Sequence, residues 1–418
     1  MSIKILLVAS ERWISTARLA MALIETGCEV YAVCRNDHPL LLISGLARRY
    51  SYRDLKPLKS MMNALRDAAP DLVICCNEET FRLAHRIHQL AVTKNDRVLK
   101  ELLERSFGTP EHYSIELSRF GLMTLATEEQ IEIPASLQVN SRFELEVAEE
   151  ELGWPLVLKS DGSFGGNGVR IARDARQALT FWRRLRGPVG PLRTMNRVLM
   201  NRHLKPLYGM LRLQRHTVVA QRNIVGSEAT LAASCWRGEL LACHCMEVVE
   251  SWNVRGPSSV LRVIESEPML AAARTLIRRL GISGFCGFDF IVEATTGTPF
   301  LIEMNVRPTQ TSHLALGPGK DLIVSLVRTV EANKNRQDLP TEDSEADTGW
   351  RAQVTHQEFI ALFPQELQRD RESQWLRLGF HDIPLSEPAL VKAATREPKK
   401  SWYESFKSNL PEAIRIRL

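Results

Sequence analysis

The alternation of short apolar runs with helical stretches over the first ninety residues does most to narrow what this chain can fold into. Ile3–Ala9, Glu29–Cys34 and Leu72–Cys76 read as strands, with helices over Thr16–Glu25 and Leu58–Ala69 ended near Gly27 and Pro70. Strands alternating with helices imply a parallel sheet covered by those helices. Ligands of such a sheet lie beyond the carboxyl ends of its strands, here Ser10–Arg12, Arg35–Asp37 and Asn77–Thr80. Ser10, Thr16, Asn77 and Glu78 are the acceptor-site candidates along that edge. No Gly-x-Gly-x-x-Gly follows the first strand, so a dinucleotide site has no support.

Farther on the texture changes. Residues 93–150 read as mainly helical, broken by Gly108-Thr109-Pro110 and Ile133-Pro134. From 151 onward strands prevail: Pro155–Lys159, Val169–Arg173, Thr217–Gln221, Ala229–Trp236, Leu240–Val249, Gly287–Val292 and Phe300–Asn305, with one helix over Met269–Leu280. After about residue 335 the signal fades, Gln337–Asp347 reads as a linker or exposed loop, and the last eighty residues form an unassigned appendage. A hydrophobic content of 44% with 25% charged residues excludes wholesale disorder. No apolar run approaches the ~20 residues of a membrane span, and the opening apolar stretch is too short for a signal peptide. The eight cysteines are scattered with no Cys-x-x-Cys, so no disulfide framework is expected and a reducing cytoplasm is the simplest home.

The strongest local signal runs from Gly287-Phe-Asp289 through Glu293, across a loop holding Gly297, to Pro299-Phe-Leu-Ile-Glu303-Met-Asn305. This is a hairpin pattern. With Glu293 facing Pro299, Asp289 falls opposite Glu303, and Asn305 points to the same side. Two carboxylates facing each other at ~5 Å repel unless a cation lies between them. A solvent-facing hairpin with screened charges is the plain alternative. The apolar neighbours Phe288, Phe290, Leu301 and Ile302 argue instead for a buried sheet and an all-oxygen set suited to Mg²⁺ (or Mn²⁺).

A second segment, Lys159-Ser-Asp-Gly162-Ser163-Phe-Gly165-Gly166-Asn-Gly168, places four glycines in seven residues between two apparent strands. Amides without Cβ atoms can close over phosphate oxygens, and Lys159 can reach the same phosphates. No Gly-Lys-[Ser/Thr] leads into a helix, so this is not a Walker loop. A flexible surface hairpin fits the segment equally well. A third, Gln221-Arg-Asn-Ile224-Val-Gly226-Ser-Glu228, can offer backbone groups to an adenine edge and an acid to ribose hydroxyls, or can be a plain hairpin with a polar turn.

In chain order, the Lys159 glycine segment, the Gln221–Glu228 segment and the Asp289/Glu303/Asn305 hairpin followed by Arg307 resemble the ATP-grasp superfamily over roughly residues 110–330. Glu303-Met-Asn-Val-Arg-Pro is similar to its Glu-hydrophobic-Asn-Pro-Arg signature, with Val306 where proline is usual. The resemblance implies an α/β fold class: a pre-ATP-grasp parallel-sheet domain, then a two-subdomain α+β ATP-grasp fold, then a C-terminal appendage. The expected boundaries are 1–92, a helical connection at 93–135, a lid subdomain at 136–222, a catalytic subdomain at 223–335, and 336–418. It implies ATP and Mg²⁺ as cofactors. Lys159 would contact phosphates under a loop formed by Gly162, Ser163, Gly165, Gly166 and Gly168. Gln221 and Ile224 would hold adenine, Glu228 the ribose, and Arg119 an earlier phosphate contact. Asp289, Glu303 and Asn305 would be metal ligands, and Arg307 would steady the transferred phosphoryl group.

The activity so implied is that of an ADP-forming ligase joining a small-molecule carboxylate to an amine through an acyl phosphate. A bicarbonate-activating carboligase is the rival enzyme, and a nucleotide-binding assembly or regulatory protein without turnover is the rival of another class. A homodimer is a common state among relatives. From Arg173 to Arg215, ten arginines and Lys205 face Asp174 alone, a net +10, so the rest of the chain sums to −5. That stretch falls in the expected lid and reads as a solvated basic face or as a site for an anionic substrate or carrier; no nucleic-acid motif accompanies it. Cys243-His244-Cys245 alternates along a strand and reads as core, as does Cys75-Cys76. His313 could contact an acceptor or make a helix-start hydrogen bond.

Overall fold

β1 (Lys4–Val8), β2 (Glu29–Cys34), β3 (Arg48–Ser51) and β4 (Leu72–Cys75) pair in the order β3-β2-β1-β4, all parallel. Both faces of β1 are covered, which is why it reads as an unbroken apolar run. Ile5 and Leu7 pack toward the helices Ile14–Glu25 and Leu322–Lys334. Leu6 and Val8 pack toward Pro57–Ala68, Glu78–Thr93 and Arg97–Phe107. The edge strand β3 has no counterpart in the sequence pattern, because Arg-Arg-Tyr-Ser contains no apolar run.

This computed structural model describes residues 2–116, 118–160, 168–187, 217–252, 256–334, 358–378 and 380–395. The chain divides into two units, one built from Met1–Ile133 with Ile224–Thr395 and the other from Pro134–Asn223. In the smaller unit, β5 (Ser136–Val139), β6 (Leu156–Ser160), β7 (Val169–Ala172) and β8 (Val218–Arg222) form an antiparallel sheet in the order β5-β8-β6-β7. Leu156, Leu158, Val218 and Ala220 turn one face onto Ala148, Ala178 and Trp182 of the helices Arg142–Leu152 and Ala175–Arg186. The period of two then sends Val157, Lys159, Val219 and Gln221 to the other face.

The larger unit contains a seven-stranded sheet. Its strands are β9 (Gly226–Trp236), β10 (Glu239–Ser251), β11 (Ser258–Ile264), β12 (Gly284–Glu293), β13 (Pro299–Asn305), β14 (Phe359–Ala361) and β15 (Phe380–His381), in the order β13-β12-β9-β10-β11-β14-β15. Every pairing is antiparallel except β14 with β15. Cys286, Phe288 and Phe290 bury against the helix Glu267–Leu280, whereas Phe285 joins the core that holds the helix Leu322–Lys334. Residues 358–395 are therefore not an appendage: two of their strands extend the sheet, and Leu390 packs on Ala17 and Met21. Among the described residues no helix is long and apolar enough to cross a membrane. All eight cysteines are free, and only Cys243 is part-exposed.

Candidate functional site

The hairpin of β12 and β13 brings Asp289 opposite Glu303, but by a different register from the one expected. Pro299 faces Val292, not Glu293, and Leu301 faces Phe290. On that register Asp289 would meet Ile302. A bulge between these pairs makes Ile302 the extra residue and restores the pairing of Asp289 with Glu303 and of Gly287 with Asn305. It also explains the burial along β13, where Leu301 and Met304, three apart, both enter the core. The intervening slip turns Glu303 and Asn305 to the face opposite Phe290.

That face carries a continuous polar set. Asn305 Nδ2 donates to Asp289 Oδ2 at 3.2 Å, and Arg307 Nη2 donates to Asn305 Oδ1 at 3.0 Å. Arg119, at the start of the helix Arg119–Glu128, donates through Nη2 to Glu303 Oε1 at 2.9 Å. On β9, Thr230 is opposite Asp289 and bonds it, and Glu228 shares that face two residues away. Burial, then the charge of Glu303, pushes the Asp289 carboxyl up to about 6; Glu228 adds to this, while Thr230 and Arg307 oppose it. Burial pulls the Arg307 guanidinium down against the attraction of Glu303, Asp289, Glu11 and Glu78. Its Cζ lies 4.6 Å from the Trp13 ring centroid, a cation–π contact.

A crowded, part-buried pair of carboxylates with an amide oxygen alongside fits a hard divalent cation that keeps some ligands for water and phosphate. Among the described residues no three His, Cys, Asp or Glu side chains converge, so a cation here would have the two carboxylates and the Asn305 amide oxygen as its side-chain donors. In the smaller unit, Lys159 and Gln221 share the face turned from the helices, both nearly fully buried; Gln221 Nε2 donates to Ser136 Oγ at 3.0 Å. Gly168 accepts from Ser160 N at 3.0 Å. Gly162, Ser163, Gly165 and Gly166 lie outside the described residues. Ile224 sits two residues before β9 in the larger unit.

Of the acceptor candidates, Ser10 and Asn77 are spent on tying β1 to β4: Asn77 accepts from Ser10 N at 3.1 Å and donates to Ser10 Oγ at 2.7 Å. Thr16 is buried, and Glu78 pairs with Arg82 while its charge acts on Arg307. Thr230 and Trp13 are site residues that sequence reasoning misses, although Trp13 follows the Ser10–Arg12 edge directly. His313 lies in a turn and is buried, with Nε2 2.7 Å from Asp382 Oδ2. His244 bonds Thr311 at 3.1 Å, and burial drives its imidazole down to about 4. Of the basic stretch, 188–215 lies outside the described residues, and Arg176, Arg183 and Arg184 form an exposed face of the helix Ala175–Arg186.

Residues 122–334 match the family described as carbamoyl-phosphate synthase L chain, ATP binding domain. The N-terminal section of the carbamoyl phosphate synthase large chain of Methanopyrus kandleri is 24% identical over 331 residues, 73% of this chain and 51% of that protein. The large chain of Gemmatimonas aurantiaca is 26% identical over 193 residues, 44% of this chain and 15% of that protein. The chain thus spans from about a sixth to about half of these curated relatives. Among solved structures, the biotin carboxylase–βγ-ATP complex of Campylobacter jejuni has a TM-score of 0.57 at 14% identity, covering 82% of this chain and 73% of that one. N5-carboxyaminoimidazole ribonucleotide synthetase of Thermotoga maritima has a TM-score of 0.54 at 13% identity, covering 82% and 78%. These likenesses concern the fold, which is that of ATP-grasp proteins.

Proposed function

Because the chain belongs to the family of the carbamoyl-phosphate synthase L chain, ATP binding domain, we propose that it is an ATP- and Mg²⁺-dependent ligase that joins a carboxylate to an amine through an acyl phosphate. The observation that carries this reading is the single sheet face holding Asp289, Glu303, Asn305 and Arg307. Asp289, Glu303 and Asn305 would hold Mg²⁺, which supplies charge neutralisation for the β- and γ-phosphates. Arg307, part-buried against Trp13, would stabilise oxygens of the γ-phosphoryl group as it passes to the substrate carboxylate, releasing ADP. The amine would then displace phosphate from the acyl carbon, so no side-chain nucleophile is required. Lys159 and the Gly162–Gly168 segment would close on the phosphates, Gln221 and Ile224 would receive adenine, Glu228 the ribose, and Arg119 a phosphate.

In this reading residues 1–92 are the pre-ATP-grasp domain, 93–135 the connection, 136–222 the lid and 223–335 the catalytic subdomain. Bicarbonate as the activated carboxylate is the second reading. It is favoured by the relatives, among them a 2-oxoglutarate carboxylase domain solved with MgADP and bicarbonate. The test is ADP release by the full chain with Mg²⁺ and ATP across organic acids, amines and bicarbonate, with the acid labelled in its carboxyl oxygens by ¹⁸O. Label appearing in phosphate supports an acyl phosphate, and the acid that carries it separates the two readings. ADP release that carries no label from any acid, or none above background, overturns the proposal.

A further inference from the structure

Beyond Arg307 the chain turns through Thr309–His313, where Thr311, Ser312 and His313 are all buried. Thr309 N donates to Ser312 Oγ at 2.8 Å, and Leu314 N to the Thr311 carbonyl at 2.9 Å. The turn lies directly on the site strand: a Cβ at Gly287, the residue opposite Asn305, would stand 2.3 Å from the Thr309 methyl carbon. From the other side the turn is gripped by Asp382, whose Oδ2 is 2.7 Å from His313 Nε2. Asp382 also accepts from Phe363 N at 2.6 Å and lies 3.6 Å from Arg18 Nε. Burial alone would raise this carboxyl, but His313, Arg18 and the Phe363 amide outweigh it and hold it below the usual carboxylate range, so Asp382 is charged.

The two side chains it holds share a geometry. His313 is six residues after Arg307, and Arg18 is five residues after Trp13, the ring packed on Arg307. One carboxylate from the C-terminal segment therefore anchors both supports of the same guanidinium. We propose that Asp382 is a positioning residue that aims Arg307 at the transferring phosphoryl group by fixing the His313 turn and the Arg18 helix together. This role rests on the ligase reading given above. Apolar side chains would fill so dry a position at less cost in desolvation, whereas a charged, hydrogen-bonded anchor fixes direction as well as contact.

The test uses the full chain with Asp382→Asn and, separately, His313→Asn, which leaves the bonds of Asp382 to Phe363 and Arg18 in place. Each variant is assayed for Mg·ATP-dependent ADP release and for amide hydrogen exchange over 306–316 and 13–20. We expect kcat to fall about tenfold to hundredfold with KM for ATP within about twofold, the pattern of a misaimed group with intact binding. Exchange should quicken in those two segments and stay unchanged in the helix Glu267–Leu280. Unchanged kcat, unchanged local exchange, or loss of protection throughout the chain in both variants overturns the inference. Should the wild-type chain release no ADP, the ligase reading fails, and exchange at the two segments still decides whether Asp382 is their common anchor. If Asp382→Asn does not fold, the same measurements on His313→Asn decide the matter.

Discussion

Replacing Asp289 by Asn should make the metal-free protein more stable while depriving it of Mg²⁺-dependent activity. Its carboxyl is pushed from 3.8 to about 6, chiefly by burial and by Glu303. Below pH ~4 both folded and unfolded chains carry the proton, and no difference arises. Between ~4 and ~6 the unfolded chain releases it and the folded chain retains it, so native stability falls as pH rises through this window. Above ~6 the whole penalty is present. A shift of roughly two units corresponds to about 3 kcal/mol, an upper figure for a part-exposed pair, so a stabilisation of about 1–3 kcal/mol is expected at neutral pH. Urea denaturation of both proteins in EDTA at pH 7.5 and at pH 4.5 measures it. The advantage of Asp289→Asn should shrink at the lower pH, and saturating Mg·ATP should reverse the order by stabilising only the wild type. An Asp289→Asn variant that is less stable than wild type at pH 7.5, or equally favoured at both pH values, would refute the reasoning.

Glu303→Gln should abolish ADP release and leave the circular dichroism spectrum and thermal transition close to wild type, because the side chain faces away from the core; retained turnover would remove it from the metal set. Deletion of Ile302 takes out the extra residue and leaves Leu301 opposite Phe290 and Glu303 opposite Asp289 on an unbroken ladder, so Mg²⁺-dependent ATP binding should persist; its loss would show that the bulge itself, and not the pairing alone, sets the carboxylates. Arg307→Lys loses the planar fork that bonds Asn305 and lies by Trp13, and kcat should fall about 10²–10³-fold with little change in the KM for ATP. A kcat within threefold of wild type would place the transferring group elsewhere.

The hairpin shows how far the sequence is legible and where it stops. Asp289 and Glu303 can be paired on paper because acid, apolar and amide positions alternate on both strands. A register that starts at Glu293 is one residue out, and the bulge at Ile302 cancels the error. No local pattern announces such a bulge, since it is fixed by how Leu301 and Met304 fill the core. Parallel strands β1, β2 and β4 are visible because burial on both faces writes continuous apolar runs, whereas β3, β5 and β14 are short or polar. Arg119 is placed by resemblance, and its ion pair with Glu303 across 184 residues has no signature in either segment. Asp382 is the extreme case. Its partners come from positions 18, 313 and 363, so nothing near it in the chain marks it.

The strand Phe359–Ala361 does more than lengthen a sheet. It covers the outer rim of β11, with Leu362 N bonded to the Ser259 carbonyl at 2.8 Å and Val263 N to the Glu358 carbonyl at 2.9 Å. A shortened version ending before Glu358 would expose that rim, with Val260 and Leu261 beside it, as a ready template for another molecule's backbone. Anyone trimming the protein for crystallisation should expect clumping and inclusion bodies, and should keep the tail through Thr395.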